Sequence, residues 1–217
     1  MKMMFLSKRT KKELWFDFLR LRARAISLFK RKPIGNNLHI GCGKRKVDGF
    51  VNIDIINSDY DIDLSSGYLP WENASISIIV CQQVVEHLEA ELELFPLLCE
   101  FNRILKMGGK AYISCPDMSV VISDYLNNGE NLVNDRASRW SDFSLNGMPS
   151  VHMVNHLFHQ GGEHKNLFDF QLMNHLLKKA GFSSVERINE QVFLERLPLD
   201  FPERNDSWIS LYIEAIK

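Results

Sequence analysis

From Leu38 to Ile55 the chain reads LHIGCGKRKVDGFVNIDI, an apolar run ending in Gly41-Cys42-Gly43 and a second ending in Asp54. Two glycines flanking one residue supply a tight turn and a bare backbone that a ligand can approach closely. If each apolar run is a strand, Asp54 lies at the carboxyl edge of a sheet. Open α/β sheets bind ligands at that edge, and an acid there can accept both hydroxyls of a ribose. The stretch therefore points to a ligand containing a nucleoside. Further polar groups follow at the ends of later apolar runs: Asp63 before Leu64, Gln82 and Gln83 after Ile76–Cys81, and then Glu86-His87-Leu88.

A dinucleotide site places a third glycine at the start of a helix whose N-terminus receives the pyrophosphate, with the acid about 20 residues further on. Here Lys46 stands where that glycine would fall, and Asp54 follows Gly43 by only 11 residues. Too little chain remains for a crossover helix, so a nicotinamide-dependent oxidoreductase is the weaker alternative. The series Gly41-Cys42-Gly43, Val51-Asn52-Ile53-Asp54, Asp63-Leu64, LPWENASISIIVCQQVVEHL and LKMGGKAYISCPD resembles the class I S-adenosylmethionine-dependent methyltransferases. The resemblance is to a compact subgroup associated with surface-polysaccharide synthesis, and it covers residues 36–115 well and 160–190 moderately.

The resemblance implies that Gly41, Cys42 and Gly43 lie against the methionine part of the cofactor and that Asp54 holds the ribose. It further implies that Asp63 and Leu64 flank the adenine, and that Gln82 and Gln83 face the sulfonium and the acceptor. In two places the chain departs from the family pattern: Ser77 replaces a usual aspartate, and the glycine loop is shortened. The implied reaction is methyl transfer to a small molecule or glycan, with a sugar hydroxyl as nucleophile. A catalytically silent relative serving as a scaffold is the alternative from another class.

An alcohol nucleophile needs a proton acceptor working near neutrality, and histidine suits that task. His164, in Gly161-Gly162-Glu163-His164 ahead of an expected helix, is the first choice, then His159 and His87. Glu163 would raise the imidazole pKa. The histidines at 152, 156, 159 and 164 fall in a stretch without the fixed spacing of a metal centre, so no metal is expected.

These residues need a frame. Strands are expected at the two runs above, at Tyr60–Leu64, Ile76–Cys81, Ala111–Ser114 and Val185–Ile188, with an antiparallel edge strand over Trp208–Ile216. The continuously apolar Ile76–Cys81 reads as a buried parallel strand. A helix over 89–105 must kink or restart at Pro96, with Gly108-Gly109 as its cap, and another spans about 168–180. Residues 117–165 read as largely irregular. The whole predicts a Rossmann-like, doubly wound, mostly parallel sheet over residues 34–217.

Residues 1–33 stand apart as an amphipathic helix appendage. They hold 11 lysines and arginines against Glu13 and Asp17, a net of +9, which leaves −10 on residues 34–217 within a chain total of −1. An acidic main body argues against a nucleic-acid partner. The helix is either a lid packed on the domain or an interfacial helix held against anionic lipid. The four cysteines form no C-x-x-C pair, and no apolar run reaches ~18 residues, so a cytoplasmic protein with reduced thiols and at most peripheral membrane contact is expected.

Overall fold

The computed structural model describes residues 7–139 and 144–217. In chain order it contains α1 (Lys8–Phe29), β1 (Asn37–Ile40), β2 (Val51–Asp54), β3 (Tyr60–Asp61), β4 (Ile76–Gln82), α2 (Phe95–Ile104), β5 (Leu105–Pro116), α3 (Met118–Leu126), α4 (Glu130–Arg139), α5 (Val151–His159), α6 (Phe170–Lys179), β6 (Ser184–Ile188), α7 (Glu190–Glu195) and β7 (Ser210–Ile216). The strands form one seven-stranded sheet in the order β3-β2-β1-β4-β5-β7-β6. Pairings from β3 through β5 are parallel, whereas β7 runs antiparallel to both β5 and β6. This is the expected doubly wound sheet.

Alternation along each strand sends neighbouring residues to opposite faces. Ile79 and Cys81 join Leu38, Ile40 and Ile53 in a cluster with Phe101 of α2 and Leu177 of α6. Val80 and Tyr112 point the other way, against Phe193 of α7 and Phe201. Both faces of the central strands are therefore covered, which is why β4 is continuously apolar.

Several elements differ from the sequence reading. The 89–105 helix divides: a π-helical turn, Ala90–Leu94, precedes α2, and Pro96 sits in the first turn of α2, where its missing N–H costs nothing. Gly108 and Gly109 cap no helix, because β5 begins directly at Leu105 and the glycines lie where the β4 register shifts. Residues 60–64 supply only two strand residues, because the Asp63 side chain caps a 3₁₀ turn, Leu64–Ser66. The last strand closes no edge: β6 pairs outside β7, so the chain's end is a buried interior strand.

Among its described residues the stretch 117–165 holds the helices α3, α4 and α5. Their buried apolar residues, Val121, Leu132, Met153 and Leu157, pack mainly on one another and on Ile209. Such short stripes lack the sustained periodicity that marks a helix in sequence.

His39 of β1 is buried edge-on against Phe201, and its Nδ1 meets Asn52 Oδ1 at 3.2 Å. Burial drives its pKa down from 6.5 to about 4, opposed by the Asn52 bond and assisted by Arg45. The unfolded chain therefore takes up this proton first as pH falls, and stability is lost from about pH 6.5 down to pH 4. Denaturant unfolding at pH 7 and pH 4.5 should show His39→Gln losing about 2 kcal/mol less than the parent between the two conditions.

Candidate functional site

The loop that leaves β1 lies at the carboxyl edge of the sheet. Gly41 (φ +69°) turns the chain out of β1, and its amide and that of Cys42 both donate to the Ile53 carbonyl, at 2.8 and 3.0 Å. Gly43 (φ +54°) then donates its amide to Asp54 Oδ2 at 2.8 Å, while the Ile55 amide donates to Oδ1 at 2.7 Å. Each carboxylate oxygen keeps acceptor capacity. Behind the loop, Asn52 accepts from the Val47 amide and donates to the Val47 and Phe50 carbonyls and to Asp59, which pins residues 44–50 without a helix.

The two glycines have different neighbours. A Cβ on Gly41 would stand 2.0 Å from Val84 Cγ2, whereas a Cβ on Gly43 would meet no atom within 4 Å. Gly41 is thus a packing requirement, and Gly43 leaves open space beside Asp54. Cys42 is buried, and burial together with Asp54 raises its pKa to about 11, so it is a packed thiol and not a nucleophile.

Asp63 is already engaged. Its Oδ1 accepts from the Ser65 amide and hydroxyl, and its Oδ2 pairs with Arg24 of α1 at 2.7 Å. Arg22 pairs likewise with Asp61 at 2.9 Å, and Lys12 pairs with Glu163 beside His164. Helix α1 therefore runs along the carboxyl edge from the His164 loop to β3, with Leu19 and Ala23 buried beneath it. Leu64 packs half-buried against the main core.

Beyond the ends of β4 and β5 lies a cavity of about 360 Å³. Gln83, at φ +55°, donates its amide to the Ser114 carbonyl and its side chain to Ser210 Oγ. Gln82 is buried, and among the described residues its Nε2 has no hydrogen-bond partner. Arg136, Arg139 and Arg204 line the cavity with Glu86, His87, His164 and Asp206. Arg204 makes a two-pronged contact with Asp206, at 2.8 and 2.7 Å. Glu86 is fully enclosed, and burial lifts its pKa to about 8.

His164 is brought into this cavity and His159 is not. The latter is exposed at the end of α5, against Phe158. The environment of His164 also departs from the sequence reading. Burial lowers its pKa to about 4; the bond of Nδ1 to the Leu157 carbonyl and the charge of Glu163 oppose this only in part. Sequence reasoning missed Glu86 as a cavity group, although it stands next to His87 in the quoted motif. It also missed the arginines, which come from α4 and from the irregular segment before β7, neither of which carries a motif.

A solved S-adenosylmethionine-dependent methyltransferase from Archaeoglobus fulgidus superposes over 93% of this chain and 94% of its own, with 17% identity and a TM-score of 0.50. The chain has the fold of these methyltransferases. A Thermotoga maritima S-adenosylmethionine-dependent methyltransferase aligns over 95% and 94% of the two chains at 18% identity and a TM-score of 0.46. Phosphoethanolamine N-methyltransferase 2 of Haemonchus contortus, in complex with S-adenosyl-L-methionine, has 14% identity and a TM-score of 0.49, and the match spans 91% of this chain and 52% of that one. No protein-family model and no curated protein matches the sequence.

The two glycines should separate in a stability measurement. Gly41→Ala, with a clash added to a left-handed backbone, should lose about 3 kcal/mol in chemical unfolding, and Gly43→Ala only about 1 kcal/mol. Equal losses would contradict the open space beside Gly43.

Proposed function

We propose that the chain is an S-adenosylmethionine-dependent methyltransferase acting on a hydroxyl of a sugar or similar small acceptor that carries an acid group, in surface-polysaccharide synthesis. The observation that carries the reading is the open space at Gly43 beside Asp54, one loop away from a polar cavity at the end of β4. A nicotinamide dinucleotide fits less well, because no helix starts in residues 41–50 to receive a pyrophosphate.

When bound, S-adenosylmethionine supplies a methyl group activated by a sulfonium. Asp54 would hold its ribose, and Gly41 and Gly43 would let the methionine part approach the backbone. Gln82 and Gln83 lie between that crevice and the cavity. The chain's main task is alignment in a dry site, because an in-line displacement gains most from oriented reactants. The arginines around the cavity, Arg204 paired with Asp206 and Arg139 with Asp135, give it a cationic lining that suits a carboxylate or phosphate on the acceptor. His164 and His87 would then face the acceptor hydroxyl; His159 would not. Asp63 would reach an adenine only if Arg24 shared or released it.

Calorimetry should find Asp54→Ala weakening S-adenosylmethionine by tenfold to a hundredfold, about 1.5–3 kcal/mol. Turnover to S-adenosylhomocysteine over a panel of acidic and neutral sugars tests the acceptor. His164→Ala should keep cofactor affinity and lose ~10² to 10⁴ in turnover. Unchanged affinity in Asp54→Ala overturns the ribose assignment, and cofactor binding without turnover on any acceptor favours the scaffold reading.

We further propose that residues 34–217 form the catalytic domain and that α1 roofs its cofactor crevice while presenting an outer surface to anionic lipid. Leu14, Trp15, Phe18 and Leu21 are each more than half exposed, among many lysines and arginines. No helix among the described residues is long and apolar enough to cross a membrane, so contact would be peripheral. Sedimentation with vesicles should rise with their anionic fraction and fall when Trp15 and Phe18 become serine. Binding indifferent to anionic lipid would remove this role.

A further inference from the structure

Glu86, His87 and His164 meet on the cavity wall with one potential ligand atom each, all within 4.8 Å of one another. The details of their bonding exceed what a chance meeting requires. His87 Nδ1 lies 3.1 Å from the Glu163 carbonyl, and His164 Nδ1 lies 2.5 Å from the Leu157 carbonyl. A carbonyl can only accept, so both Nδ1 atoms carry the proton, and in each neutral ring Nε2 holds the lone pair. Backbone anchoring of the distal nitrogen is how metal-binding histidines are oriented.

The carboxylate completes the set. Glu86 is 1% exposed, and among the described residues its Oε2 has no hydrogen-bond partner. Its Oε1 stands 4.0 Å from His87 Nε2, too far for a hydrogen bond. Two lone-pair nitrogens and a carboxyl group thus face one another with no hydrogen bond linking them, and a bound cation would displace the carboxyl proton. A cation resolves that arrangement.

We propose that Glu86, His87 and His164 bind a first-row divalent cation of the zinc class, leaving its remaining positions open toward the cavity. Two imidazoles favour zinc or cobalt over magnesium, which prefers oxygen ligands. Bonds of about 2.0–2.2 Å place ligand atoms closer together than they stand here, so the side chains draw inward on binding. His87, at the edge of the cavity and half-buried, has the most room to do so. On the methyl-transfer reading above, the open positions would take the acceptor hydroxyl and lower its pKa, its proton passing to solvent in the cavity, while the cationic lining attracts the acid group.

The test uses the full chain with Zn²⁺, Co²⁺ or Mg²⁺ alone, without cofactor or acceptor, so that a failure of the methyltransferase reading does not touch it. Calorimetry should find one Zn²⁺ per chain, Mg²⁺ binding far more weakly, and Co²⁺ developing visible ligand-field bands. Glu86→Gln keeps the shape and removes the charged ligand, and His164→Ala removes a nitrogen. Each should weaken zinc about a hundredfold or more while metal-free unfolding by circular dichroism stays that of a folded chain. If His164→Ala fails to fold, Glu86→Gln decides. His152→Ala with His156→Ala should leave affinity unchanged. No zinc binding at millimolar concentration, or binding that a folded Glu86→Gln retains in full, overturns the proposal.

Discussion

The Ile53 carbonyl accepts two successive amides, those of Gly41 and Cys42, and the site's architecture depends on that pair of hydrogen bonds. It ties the exit of β1 to the exit of β2 and requires the left-handed turn at Gly41, where a side chain would strike Val84. With the turn held, the next amide, Gly43, reaches Asp54 and orients its carboxylate. The buried Asn52 supports the same loop from behind by satisfying the Val47 and Phe50 backbone groups that a helix would otherwise pair. A short covalent path with few free torsions is thereby positioned without a helix.

The carboxyl edge divides into two regions of different character. Over β1, β2 and β3 the groups are acidic, and α1 brings Arg22 and Arg24 to Asp61 and Asp63. Over β4, β5 and β7, arginines and imidazoles gather around Glu86 and Asp206, brought by the turn after β4, by α4, by the loop after α5 and by the segment before β7. Gln83 stands between them, held in a left-handed conformation by Ser114 and Ser210. Such strain at a junction between two ligand regions is characteristic of functional sites. Helix α1 reaches from one region to the other, because Lys12 pairs with Glu163 beside His164.

The crevice half was legible in the sequence because its parts are local. The turn glycines, the run Val51–Ile53 and Asp54 lie within fifteen residues, and strand alternation with turn chemistry suffices to order them. The cavity half was much less so. Among the described residues, α2, β5, α3, α4 and α5 all lie between Glu86-His87 and His164 in the chain. Arg136 and Arg139 sit on α4, which has few apolar positions, and Arg204 on an irregular segment before β7. The pKa of His164 is likewise set by long-range packing: Glu163 is adjacent in sequence but turns to Lys12, and burial dominates.

The sequence by itself determined the sheet class, the Gly41-Cys42-Gly43 turn and the acid that follows it, since these depend on residue type and near spacing. It also determined that α1 would be basic and amphipathic. Only the tertiary structure decided which way that helix faces, because Leu14 and Leu19 are equally apolar in sequence while one is exposed and the other buried. It alone moved the final strand from edge to interior, a matter of which neighbours claim its two rows of backbone hydrogen bonds. And it alone brought Glu86, His87 and His164 together, because long-range contact depends on how separately folded segments close on one another, and no local pattern records it.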